Sequence, residues 1–129
     1  MCRIDDLDER SAVHNEKQTR ARKAHACSEC ARQIAPGETY LRLRSLFDGS
    51  WSSFAICAHC TVAQAWLVRE CGGYIYTQVH EEIVEHFQEY DRPAQRTLRF
   101  WLGRVATGMK RGWRRRDGQL MSVPALVSA

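Results

Sequence analysis

Two Cys-x-x-Cys pairs, Cys27/Cys30 and Cys57/Cys60, stand 26 residues apart in a chain of 129. Four thiols grouped in this way restrict the fold more than any other feature, because the intervening chain has to bring the second pair back to the first. A two-residue spacer lets both sulfurs of a pair turn toward one ion, and four soft ligands are what a closed tetrahedral zinc site takes. The competing readings are a disulfide framework and a redox pair. A thioredoxin-like pair follows a βαβ unit, and neither pair here is preceded by one. A disulfide framework belongs to an oxidising compartment, whereas the chain opens MCRIDDLDER, charged from the start with no apolar leader. A cytoplasmic protein with one structural Zn2+ on Cys27, Cys30, Cys57 and Cys60 is expected. The two other cysteines, Cys2 and Cys71, are expected to stay free.

The stretch between the pairs reads as a hairpin. Pro36-Gly37 makes a turn after the first pair, and then TYLRLRSLF and SWSSFAI flank Asp48-Gly49, a strong two-residue turn signal. Pairing across that turn sets Phe47 against Ser50, Leu46 against Trp51, Arg44 against Ser53, Leu43 against Phe54 and Leu41 against Ile56. Leu41, Leu43, Phe54 and Ile56 then share a core face, and Arg42, Arg44, Trp51 and Ser53 share the opposite one. Beyond the second pair, Ala63, Trp66, Leu67 and Cys71 recur at helical spacing until Gly72-Gly73 stop the helix. The second Cys pair thus lies in a first helical turn, where free N–H groups favour thiolates.

Knuckle, hairpin, and helix carrying the second pair resemble a treble-clef zinc finger over residues 25–72, although Ala31 stands where many knuckles have Gly. The wider pattern, RKAHACSEC, IAPGETY, CAHC and KRGWRRRDGQL, also resembles small uncharacterised zinc-binding proteins of bacteriophages and prophages. That resemblance implies an inhibitor of a host system such as an anti-CRISPR-like factor, beside the leading expectation of a non-enzymatic binding protein that docks through Arg/Lys surfaces on nucleic acid or a host nucleoprotein complex.

A catalytic set does not emerge. Four thiolates close the coordination sphere and make the ion a poor Lewis acid, whereas a catalytic zinc keeps an open position. His25 and His59 are expected to be solvated or capping side chains. The hairpin has no His for a second, nuclease-type metal, and His80 and His86 are six apart and point in different directions on a helix. No enzyme activity is expected.

Two more helices follow. Residues 75–90 place Val79, Ile83, Phe87 and Tyr90 on one stripe, with Glu81, Glu82, Glu85 and Glu89 elsewhere. After a break at Asp91 and Pro93, residues 94–115 place Leu98, Trp101, Leu102, Val105, Met109 and Trp113 on a second stripe. The fold class expected is therefore α+β: a polar arm (1–24), a treble-clef finger (25–72), an antiparallel pair of helices packed on it (73–116) and a tail (117–129). The arm and tail look mobile, with a short helix conceivable over residues 5–18. Residues 49–68 carry no charge, but four Ser/Thr, a Gln, a His and a Cys-x-x-Cys speak against a membrane span.

Charge placement says more than the net of +4. Lys and Arg against Asp and Glu give +1 over residues 1–24, 0 over 25–72, −5 over 73–91 and +8 over 92–129. The acidic helix can neutralise the early arginines of the basic one. Lys110, Arg111, Arg114, Arg115 and Arg116, grouped around Trp113, remain in excess. Such a cluster suits phosphate backbones with aromatic stacking, and it suits an acidic protein surface or a solvated end equally. Arg42 and Arg44 on the hairpin could extend it. Trp51 and Phe100 are expected to face outward as partner-binding aromatics.

Overall fold

The computed structural model describes residues 2, 3, 13–47 and 49–127. Its strands are β1 (Val13–Arg20), β2 (His25–Ala26), β3 (Gln33–Ile34), β4 (Thr39–Phe47) and β5 (Ser50–Cys57). Its helices are α1 (Ala58–Cys71), α2 (Val79–Glu89) and α3 (Arg96–Lys110), the last entered through a 3-10 turn at Pro93–Gln95. The fold is mixed α+β with antiparallel sheets.

β4 and β5 form the hairpin in the register expected from the sequence, Leu43 opposite Phe54 and Leu41 opposite Ile56. Gly49 takes a φ of 76° at the turn, a left-handed value that suits glycine; Asp48 lies outside the described residues. Leu43 and Ile56 are fully buried, while Arg42, Arg44, Trp51 and Ser53 are exposed on the other face. At its far end that second face is covered too: Tyr40 and Cys57 are buried, and the His25 ring lies 5.0 Å from that of Tyr40.

Val13–Arg20 is a strand and not part of a helix. It pairs antiparallel with β4 along its whole length, from Val13 opposite Leu46 to Arg20 opposite Thr39, giving the sheet order β1-β4-β5. Its described side chains are polar on both faces, so its place is secured by main-chain bonds to a neighbour and not by an apolar stripe. Residues 5–12 of the helix expected there lie outside the described residues.

α1 begins with Cys57 as its N-cap and ends on Gly72 at φ 76°, as the Gly-Gly stop implies. α2 and α3 form an antiparallel hairpin: His80 donates to the Ala106 carbonyl (3.1 Å), while Phe87, further along α2, meets the Cα side of Gly103. Val79, Ile83, Leu102, Val105 and Met109 are buried along the expected stripes. Two polar residues accompany them. Glu82, which the pattern places off the apolar stripe of α2, and His86 are at 0% and 2% exposure.

The helices are tied to the knuckle by Glu29. Its carboxylate accepts from the backbone N–H groups of Thr77 (3.0 Å) and Val79 (3.2 Å), capping α2 from a distant part of the chain. No local side chain caps that end. Glu29→Ala is expected to remove about 1–2 kcal/mol of stability, the usual worth of a helix cap, read as a lower urea midpoint at unchanged slope. A midpoint equal to the parent's would show the cap to be dispensable.

Helix α3 ends at Lys110, five residues earlier than the pattern implies. Gly112 and Trp113 take φ values near +60°, turning the chain back. A tight turn follows, with Gly118 N–H donating to the Arg115 carbonyl and Arg115 N–H to the Gln119 carbonyl. The tail then packs on the core. Met121 N–H donates to the Trp113 carbonyl (2.7 Å), and the Trp101 indole donates to Ala125 (2.9 Å). Among the described residues no helix is long and apolar enough to cross a membrane.

Candidate metal centre and basic groove

The knuckle, the end of β5 and the first turn of α1 bring Cys27, Cys30, Cys57 and Cys60 together, every sulfur within 4.8 Å of the others. Cys30 and Cys57 sulfurs are 3.8 Å apart, which is about the edge of a sulfur tetrahedron drawn around zinc with bonds of about 2.3 Å. Cys27, Cys57 and Cys60 are buried, and Cys30 is partly open.

Four thiols this close cannot share ionisation evenly. Hydrogen bonds from Cys27 and Cys30 pull the Cys57 thiol well below its ordinary range, and crowding by Cys27, Cys30 and Cys57 pushes Cys60 well above it. A cation is what would let all four sulfurs carry charge together. The donor set therefore fits a metal ion such as zinc.

The surroundings fit as well. Cys57 N–H donates to Cys27 Sγ (3.4 Å), and the buried indole N–H of Trp113 donates to Cys60 Sγ (3.3 Å). Donors of this kind orient ligands and spread the negative charge of a thiolate site. Arg32, its side chain 2% exposed, lies beside the centre and grips Glu38 with two hydrogen bonds of 3.0 and 3.1 Å. Ala31 does adopt the left-handed conformation, at φ 63°, that makes glycine common at this point of a knuckle.

His59 is not solvated, and it lies outside the four-cysteine cluster. It is buried, its Nε2 donates to the Met121 carbonyl, and its ring lies 5.2 Å from Trp113. His59 and Trp113 together fasten the tail over the second Cys pair. Trp113 is 1% exposed, so the stacking surface expected amid the basic cluster is not available to a ligand.

A groove of about 990 Å3 runs along α3 and the turn after it. Arg92, Arg96, Arg99, Arg104, Arg111, Arg114, Arg115 and Arg116 line it together with Phe87, Phe100 and one acid, Asp91. Among the described residues none of these arginines is in an ion pair; Glu85 of the acidic helix pairs with Arg3 instead. The Arg99 guanidinium stacks 4.0 Å above Phe87, and Phe100 is 68% exposed. Of the expected binding residues, Arg111, Arg114, Arg115, Arg116 and Phe100 share this groove, while Lys110 is exposed outside its lining. Arg42, Arg44 and Trp51 form a separate patch on the sheet, with Arg44 4.9 Å over the Trp51 ring. Arg92, Arg96, Arg99 and Arg104 were read from the sequence as partners of the acidic helix or left aside.

The remaining cysteines are not free: Cys2 and Cys71 are joined by a disulfide, with the His86 ring against both sulfurs. A search of protein-family descriptions, of characterised proteins and of solved structures finds nothing that this chain matches.

Proposed function

We propose that this chain is a non-enzymatic binding protein of treble-clef type, held together by one structural zinc ion, that docks on nucleic acid through the arginine groove. The observation that carries the reading is the groove itself: eight guanidinium groups, one carboxylate, and an exposed phenyl ring beside them. Guanidinium groups match phosphate oxygens in pairs, and each phosphate they neutralise releases counterions. Phe100 adds a π-face on which a base can stack. The order of elements, a two-stranded knuckle, a hairpin and a helix starting at the second Cys pair, supports the treble-clef assignment. The chemistry of four thiolates supports a structural ion over a catalytic one.

Arg115→Glu combined with Arg116→Glu tests this. Both residues sit on the exposed turn after α3, away from the core. Fluorescence anisotropy with labelled single-stranded and duplex oligonucleotides should show at least tenfold weaker binding by the variant. Its salt slope should be shallower by about 1.4–1.8, the contribution of two lost phosphate contacts. Equal affinity of parent and variant would overturn the reading.

A second reading, a phage-type inhibitor that grips a host protein or nucleoprotein complex, is favoured by the sheet patch. Trp51 is 50% exposed beside Arg44, and Trp and Arg are the residues most enriched at interface hot spots. On that reading Trp51→Ala abolishes capture of the partner and leaves oligonucleotide affinity unchanged.

A further inference from the structure

We propose that Cys2, Cys71 and His86 form a second zinc site, gated by the oxidation state of the two cysteines. When the disulfide is reduced, two thiolates and the His86 Nε2 atom bind one Zn2+. When it is oxidised, the site is closed by the sulfur–sulfur bond.

The argument starts from the histidine. His86 is buried, and its Nδ1 donates to the carbonyl of Glu82, one helical turn earlier, at 2.8 Å. That bond fixes the tautomer, so Nε2 presents a lone pair. Nε2 lies 3.7 Å from Cys71 Sγ and 4.0 Å from Cys2 Sγ, and a disulfide has no proton to offer it. A buried imidazole with one nitrogen anchored to a carbonyl and the other aimed at two sulfurs is how zinc-binding histidines are held. In a tetrahedral site a sulfur and an imidazole nitrogen on the same ion are about 3.6 Å apart. The three donor atoms all lie within 4.8 Å of one another.

Cys2 is held there by more than its own sulfur. The next residue, Arg3, clamps the carboxylate of Glu85 through Nε (3.1 Å) and the side chain of Gln78 through Nη1 (2.7 Å), both from the α2 region. Reduction therefore leaves Cys2 beside Cys71 and His86, and the sulfurs part by rotation of their side chains. Two thiolates and one imidazole are a zinc donor set that leaves a fourth position for water.

The chemistry balances with a small thiol as reductant. Two thiol molecules give two electrons and two protons to the disulfide and leave as their own disulfide. The resulting Cys2 and Cys71 thiols release those protons when Zn2+ binds. In a reducing compartment, where a persistent disulfide is unusual, the metal takes over the cross-link between residue 2 and the end of α1.

Zinc per chain decides the matter. Protein purified without reductant is compared with the same protein reduced by a small dithiol, incubated with Zn2+ and desalted without air. We expect reduction to add one zinc per chain. His86→Gln and Cys2→Ser should each lower the gain by one zinc relative to the parent, and Cys2→Ser leaves the buried helices untouched if His86→Gln fails to fold. No increment in the parent overturns the proposal, as does an increment in Cys2→Ser equal to the parent's. Because both samples are incubated with Zn2+ and Cys2→Ser passes through the same treatment, the quantity read is the parent's gain less that of Cys2→Ser, in which any uptake by the four-cysteine centre cancels.

Discussion

On the proposed reading of the four-cysteine centre as a structural zinc site, a strong chelator is expected to abolish the cooperative melting transition of the protein. Apparent binding free energies of structural zinc sites are about 10–16 kcal/mol, which matches or exceeds the whole stability of an ordinary domain, about 5–15 kcal/mol. The local reasons are specific. Without an ion the four neighbouring sulfurs cannot all ionise together, and the strands of the knuckle, β2 and β3, are only two residues long. Cys60→Ser should act in the same direction, because a hydroxyl does not ionise to replace the fully buried thiolate. The loss extends past the finger, since Glu29 on the knuckle caps α2 and Trp113 touches Cys60. Calorimetry before and after chelation checks the claim; superimposable curves would remove the zinc from the account of stability.

The second large effect concerns Trp113. Trp113→Ala is expected to cost about 3–5 kcal/mol, the range for emptying a buried aromatic site. The ring is almost wholly enclosed, and Gly108 leaves it room: a methyl group there would sit 2.4 Å from two carbons of the indole. Gly108→Ala should therefore be strongly destabilising as well, because no nearby flexible side chain can yield the space. Trp113→Phe separates packing from polarity. It keeps most of the apolar contact and deletes the N–H donated to Cys60, so a loss of about 1 kcal/mol is expected from the hydrogen bond. Urea denaturation of the three variants reads these differences; a Trp113→Ala protein within about 0.5 kcal/mol of the parent would refute the role.

The local grammar of the sequence carried the hairpin register, the start of α1 at the second Cys pair, its stop at Gly72 and the apolar stripes of α2 and α3. Each is a short-range rule: turn chemistry, ligand spacing, helical period. Strand β1 escaped because an edge strand with polar described side chains on both faces has no period-2 signal, and no tight turn joins it to its partner strand. Glu82 was placed off the apolar stripe because a charged residue on a helix is usually wet, whereas here it is buried and accepts from Ile75 N–H, with the buried His86 donating to its carbonyl. The end of α3 was overrun for a similar reason. Trp113 falls on the helical stripe by period, yet it reaches the core by a left-handed reversal at Gly112 and Trp113 that periodicity cannot express. The groove was half legible: its late arginines stood out as unmatched charge, while its early ones were paired on paper with an acidic helix of which the structure directs Glu85 to Arg3 and Glu82 to the Ile75 N–H.

The bond between Trp113 and Cys60 joins residues 53 positions apart. A ribosome working at about 5–20 residues per second would finish the fourth cysteine roughly 3–10 seconds before it adds the indole that covers it. During that interval the nascent chain carries a complete ligand set with its outer wall missing, open to metal and to oxidants alike. The order of the chain thus leaves the four sulfurs open to a metal ion before the indole that covers them is made.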